Sequence, residues 1–104
     1  IETFGCGGMP FGEKRNLLNK TKDLTEAGII IVITTQCLLE GCDLNIYKVG
    51  KETSKYPIIS AYDMNTEAAV TKLMWILANT DNFSEVKDRF LTPIYNDIII
   101  PNIP

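Results

Sequence analysis

Side chains able to do chemistry gather in three short stretches of this sequence. The first is Gly5-Cys6-Gly7-Gly8-Met9-Pro10-Phe11-Gly12, whose glycines permit positive φ and a close approach of backbone to a ligand. The second is Thr34-Thr35-Gln36-Cys37, followed by Cys42, Asp43 and Tyr47. The third is Asp63-Met64-Asn65-Thr66-Glu67. Each has a plain reading beside the chemical one. A reactive thiol needs an electropositive setting, and Cys6 has no obvious local base, so it reads as a small buried hydrophobe. Thr34 and Thr35 read as strand residues with local hydrogen bonds. Asp63 and Glu67 suit a helix cap and first turn better than a general acid and base. Tyr47 stands open between a packed anchor and a hydroxyl that reaches a ligand.

Composition removes whole classes of function. With no histidine, a His-based triad or a zinc site of the usual kind is excluded within these residues. Three cysteines without regular spacing make no disulfide framework, and Cys37 with Cys42 is too small a ligand set for a metal. A reducing cytosol is the expected compartment. The net charge of −3 and the dispersed lysines, Lys14, Lys20, Lys22, Lys48, Lys51 and Lys55, give no basic footprint, so nucleic acid is not an expected partner. No run approaches the roughly 18 apolar residues of a membrane-spanning helix, so no membrane partner is expected either. The GxG of the first loop is half a dinucleotide fingerprint, but Pro10 holds the third glycine position and no acid ends the next strand.

The elements that position these stretches are led by Gly28–Cys37, GIIIVITTQC. A hydrophobic run without polar alternation reads as a strand buried on both faces, the habit of parallel sheets covered by helices. It is taken as the central strand. Before it, Leu17, Leu18, Thr21, Leu24 and Ala27 recur at helical spacing within Glu13–Ala27, and Gly28 caps that helix. With the opening strand Ile1–Phe4 this makes a βαβ unit. A short helix is expected over Val49–Lys55 and a third strand over Ile58–Ala61. A helix follows from the Asp63–Glu67 cap to about Ala78, and Ser84 caps a last one over Glu85–Leu91, stopped by Pro93.

The long helix has a wide apolar arc, so Met74 and Trp75 are core or interface, while Lys72 is read as solvated. The apolar tail Ile98–Pro104 is read only as a possible edge. The fold class is α/β: a three-layer α/β/α sandwich with a small parallel sheet, flavodoxin- or Rossmann-like in layout. The 104 residues make one domain. Ile1 stands inside an apparent strand with no initiator Met, so the chain reads as a fragment cut from a longer polypeptide. Ligands of open α/β sheets bind beyond the carboxyl ends of the strands. Those ends lead into Gly5–Phe11, Gln36–Tyr47 and Tyr62–Thr66, which gathers Cys6, Gln36, Cys37, Asp43, Tyr47 and Asp63 on one edge.

The segments TFGCGGMP, GIIIVITTQCLLEGCDLNIYKVG and PIISAYDMNTEAAVTKLMWILANT, in this order from Thr3 to Thr80, closely resemble the C-terminal domain of cytoplasmic, type I L-asparaginases. The resemblance implies a two-domain amidohydrolase whose threonine nucleophile, with a lysine and an aspartate, sits in an N-terminal domain absent here. The fragment alone would be inactive. It implies no cofactor, L-asparagine as the parent's substrate, and a homodimer or homotetramer in which this domain helps close the neighbouring active site. Tyr47 matches a position that in some type I members reaches substrate across the dimer. Gly8 stands where related enzymes often carry a supporting asparagine.

Cys37 matches the cysteine of an allosteric asparagine site found in some members, and with Gly8 and Gln36 it marks that loop edge. Glu2 stands where the arginine of that site is expected, and an acid repels a substrate-like carboxylate. Two other readings stay open. One is the similar module of the archaeal glutamyl-tRNA(Gln) amidotransferase D subunit. The other is a non-enzymatic binding or dimerisation module.

Overall fold

The computed structural model describes residues 1–3, 11–12, 15–35 and 56–100. Three parallel strands form the sheet: β1 (Glu2–Thr3), β4 (Ile31–Thr35) and β5 (Ile58–Ser60), in the order β1-β4-β5. A second ladder joins β2 (Phe11–Gly12) to β3 (Arg15–Asn16) antiparallel. Three helices complete the described elements: α1 (Leu17–Glu26), α2 (Thr66–Leu77) and α3 (Phe83–Phe90).

The hydrophobic run does become the central strand, but from Ile31 rather than directly after Gly28, because the Ile29 N–H closes the helix cap and its side chain is exposed. All five residues of β4 are buried, with Glu2 opposite Thr34 on one side and Ile31, Val32 and Ile33 opposite Ile58, Ile59 and Ser60 on the other. Side chains of a strand alternate between faces, and the core divides accordingly. Ile31, Ile33 and Ile58 pack with Leu24 of α1 and with Tyr56. Val32, Ile59 and Ala61 pack with Met64, Ala69, Ile76, Val86, Phe90 and Ile98. One helix therefore covers one face and two cover the other, which makes the three layers. Burying one such aliphatic side chain stabilises by about 1.5–3 kcal/mol, so each face needs its helix.

Local chemistry accounts for most boundaries. Gly28, at φ 86°, ends α1: its N–H donates to Thr25 O at 3.1 Å and that of Ile29 to Leu24 O at 3.0 Å, the paired closure of a Schellman cap. Asn65 opens α2, its Oδ1 accepting the Ala68 N–H at 2.8 Å.

Three expectations are corrected. The first helix begins at Leu17 rather than Glu13, because the extended backbone of Arg15–Asn16 is paired with Phe11–Gly12. The last helix is capped by Asn82, not Ser84: Asn82 Oδ1 accepts the Glu85 N–H at 3.1 Å, so the helix starts at Phe83. Lys72 is buried rather than solvated, for a reason that lies in the chain after α3. Met74 and Trp75 are both more than half exposed, so neither belongs to the core that the wide arc allowed. The short helix expected over Val49–Lys55 lies outside the described residues. No helix among the described residues is long and apolar enough to cross a membrane.

Candidate functional site

The carboxyl ends of the parallel strands stand at Thr3, Thr35 and Ser60, and this edge is the candidate site. Its hydroxyls tie the edge together. Thr3 Oγ1 donates to Thr34 O at 2.7 Å, Thr34 Oγ1 to Met64 O at 3.4 Å, and Thr35 Oγ1 to Thr3 O at 3.5 Å. All three threonines are buried. Activation of a threonine nucleophile requires an adjacent base, whereas Thr3 and Thr34 donate to backbone carbonyls. Thr34 and Thr35 are strand residues as expected, but these hydroxyl bonds reach Met64 and Thr3, far along the chain, rather than sequence neighbours.

From β5 the chain leaves this edge through a tight corner, Ala61–Asn65. Tyr62 takes φ 48° there, a left-handed conformation that costs a non-glycine residue on the order of 1 kcal/mol and persists only where the surroundings impose it. The imposing contacts are explicit. The Tyr62 N–H donates to Ser60 Oγ at 3.2 Å, and the Met64 N–H donates to Ala61 O at 3.0 Å. Asp63 does not cap the helix as expected. Its Oδ1 accepts the N–H of Ile99 at 2.7 Å, and Asn65 takes the cap. Glu67 sits in the first turn of α2 as expected.

Midway along α2 lies an ion pair between a buried lysine and a partly exposed aspartate. Lys72 Nζ is 2.9 Å from Asp97 Oδ2 and donates to Thr92 O at 2.9 Å, with the Phe90 ring centroid 5.6 Å away. Burial raises the Asp97 pKa, but the Lys72 hydrogen bond, the Ile94 N–H and the Lys72 charge together outweigh it, holding the carboxyl below its ordinary range. The spacing Ala69, Lys72, Ile76 puts Lys72 on the buried face of α2, a signal present in the sequence.

Of the residues gathered on this edge from the sequence, Asp63 is described. Gly8, Gln36, Cys37 and Tyr47, with Cys6 and Asp43, lie outside the described residues. Glu2, expected to replace an arginine, is exposed on β1 opposite Thr34. Among the described residues no three His, Cys, Asp or Glu side chains converge as a metal site would require. An apolar cavity of about 330 Å³ opens beside β1, between Leu24 of α1, Ile29–Val32, and Ala69, Val70 and Leu73 of α2. Its lining suits packing rather than amide chemistry.

Comparison with known proteins meets this geometry on the same ground. Residues 1–90 match the family described as the glutaminase/asparaginase C-terminal domain. An L-asparaginase of Thermococcus kodakarensis is 40% identical over 87 residues, which are 84% of this chain and 26% of that protein. The D subunit of the glutamyl-tRNA(Gln) amidotransferase of Pyrococcus abyssi is 33% identical over 98 residues, 94% of this chain and 22% of that protein. The chain thus spans about a quarter of the length of these relatives.

Among solved structures, the thermostable L-asparaginase from Thermococcus kodakarensis superposes with a TM-score of 0.86 at 37% identity, over 96% of this chain and 30% of that one. L-asparaginase I from Vibrio cholerae gives 0.79 at 33% identity, over 94% and 29%. A parallel sheet with a buried central strand, helices on both faces and a match over residues 1–90 lead to one conclusion: the chain belongs to the glutaminase/asparaginase C-terminal domain family.

Proposed function

We propose that this chain is the C-terminal domain of a longer L-asparaginase, which hydrolyses L-asparagine to L-aspartate and ammonia. The observation that carries this reading is the likeness to the Thermococcus kodakarensis L-asparaginase over 96% of the chain at 37% identity. The nucleophile and its base lie outside these residues. That agrees with Thr3 and Thr34, whose hydroxyls are spent on backbone carbonyls. The domain serves assembly and closure of a neighbouring active site in a cytoplasmic homodimer or homotetramer. Exposed Val70, Met74, Trp75 and Leu77 on α2 supply apolar surface suited to such packing.

In this reading Tyr47 reaches substrate held by the neighbouring subunit, and Gly8, Gln36 and Cys37 line the loop edge beside it. The exposed carboxylate of Glu2 opposes capture of a second asparagine at that edge.

A second reading has its own support: the alignment with the Pyrococcus abyssi amidotransferase D subunit extends over 94% of the chain, against 84% for the L-asparaginase. There the whole protein would release ammonia from glutamine for a partner protein. The test is ammonia release from L-asparagine and L-glutamine by the full polypeptide and by the 104-residue chain. Activity on asparagine in the full polypeptide with an inert 104-residue chain is the expected result. Activity in the 104-residue chain overturns the location of the nucleophile, and release dependent on a partner protein favours the second reading.

A further inference from the structure

The family match ends at residue 90, yet the residues that follow remain bonded to the domain. Residues 91–100 pass from the middle of α2 to its start, and three attachments fix them. Lys72 holds Thr92 O and the Asp97 carboxylate. Ile98 is 2% exposed and sits in the core between sheet and helices. Between these points the turn Ile94–Asp97 is closed twice, by the Asp97 N–H to Ile94 O at 3.1 Å and by the Ile94 N–H to Asp97 Oδ1 at 2.7 Å. This segment is anchored before it reaches its last contact, the Ile99 N–H on Asp63 Oδ1 at 2.7 Å.

We propose that residues 92–99 are a strap that holds the β5–α2 corner, and that Asp63 is the positioning residue through which the strap acts on the carboxyl-edge site. The corner is the place where such a hold matters. Tyr62 is kept in a left-handed conformation with its own N–H on Ser60 Oγ, while the Ala61 N–H is held by Ile33 O, the Met64 N–H by Ala61 O, and Met64 O accepts from Thr34 Oγ1 of the central strand. Ile99 adds a tie from outside the sheet, thirty-six positions along the chain. A carboxylate accepting a backbone N–H makes a short, directional bond. Asp63 is exposed, so water replaces that bond when it is lost. Its loss therefore moves the corner more than it unfolds the domain. Thr34 Oγ1 on Met64 O joins the corner directly to the end of β4, from which the Gln36–Tyr47 stretch departs. A shift of the corner is a shift of the edge.

The catalytic arm of this proposal rests on the L-asparaginase reading, and the test separates the two. In the full polypeptide, amide hydrogen exchange over residues 61–65 and at Ile99 is compared for the parent, Asp63→Ala and Asp63→Asn, alongside steady-state kinetics with L-asparagine. Asp63→Ala should exchange about tenfold faster at both places, through local opening. Its KM should rise about threefold or more with kcat within about twofold, whereas Asp63→Asn, which keeps an acceptor oxygen, should stay near the parent in both.

Unchanged exchange over residues 61–65 overturns the strap. Faster exchange with unchanged KM overturns the positioning role. If the polypeptide hydrolyses neither asparagine nor glutamine, the enzyme reading has failed, and the exchange result alone still decides the strap. Should Asp63→Ala not fold, Lys72→Met loosens the strap from its other end with Asp63 intact and should raise exchange over residues 61–65. No rise in that variant overturns the proposal.

Discussion

Lys72 Nζ and Asp97 Oδ2 lie 2.9 Å apart, with the lysine side chain 5% exposed and the aspartate 24%. One partner comes from the middle of a helix and the other from the segment beyond α3, so this pair fastens that segment to the domain. Removing one member of a buried pair costs more than the pair is worth, because the other charge stays behind.

Asp97→Asn tests that statement through pH. The folded-state pKa of Asp97 lies below its ordinary value, so its stabilisation is complete above about pH 4 and disappears as the pH falls through the folded value. At neutral pH the variant should be less stable by about 1–3 kcal/mol, below the full cost of a broken buried pair because Asp97 is partly exposed. Once the pH has fallen below the folded value the two proteins should unfold alike, since a protonated aspartate resembles asparagine. Denaturant titrations at both pH values measure the gap. A gap that persists undiminished in acid would assign the effect to packing instead.

Ile98→Ala probes the same segment by its apolar anchor. Ile98 is 2% exposed and packs within the cluster of Val32, Ile59 and Phe90. Truncation should cost about 2–4 kcal/mol, the usual loss for a large aliphatic side chain that leaves a cavity. Equilibrium unfolding reads the loss, and a cost under about 1 kcal/mol would mean that the site collapses around the gap.

Tyr95→Asn should stabilise. Tyr95 and Asn96 have φ of 50° and 59°, and the tyrosine side chain is fully exposed. Left-handed backbone is unfavourable for tyrosine and tolerated by asparagine. No packing is lost in exchange, so a gain of about 0.5–1 kcal/mol is expected in the same unfolding assay. A loss of stability would show that the Tyr95 ring contributes a contact in solution.

Tyr47→Phe addresses the proposed substrate contact. In the full polypeptide, loss of a hydroxyl that touches substrate should lower kcat/KM for L-asparagine by about tenfold or more, equivalent to about 1.4 kcal/mol of transition-state stabilisation. Kinetics equal to the parent's would return Tyr47 to packing.

The sequence by itself determined those parts of the domain whose signal is local. Gly28 marked the end of α1 because positive φ suits glycine, and the apolar run after it marked β4 because only a strand covered on both faces needs no polar alternation. The Asp63–Glu67 stretch announced a helix start, although not which oxygen caps it, since several neighbours offer one within a few residues. The motif segments also carried the family, because they occur together and in order.

Tertiary structure alone decided where the long-range polar groups go. Lys72 reads as a surface lysine until Asp97 and Thr92 arrive to receive its charge, and its helical spacing with Ala69 and Ile76 gains meaning only then. Asp63 reads as a cap until the Ile99 N–H claims it, and Ile98 reads as a stray apolar tail residue until the core receives it. The physical reason is the same in each case. Propensity, capping and periodicity act between neighbours in sequence, whereas the partner of a buried charge or a strained corner is chosen by the packing of elements far apart along the chain.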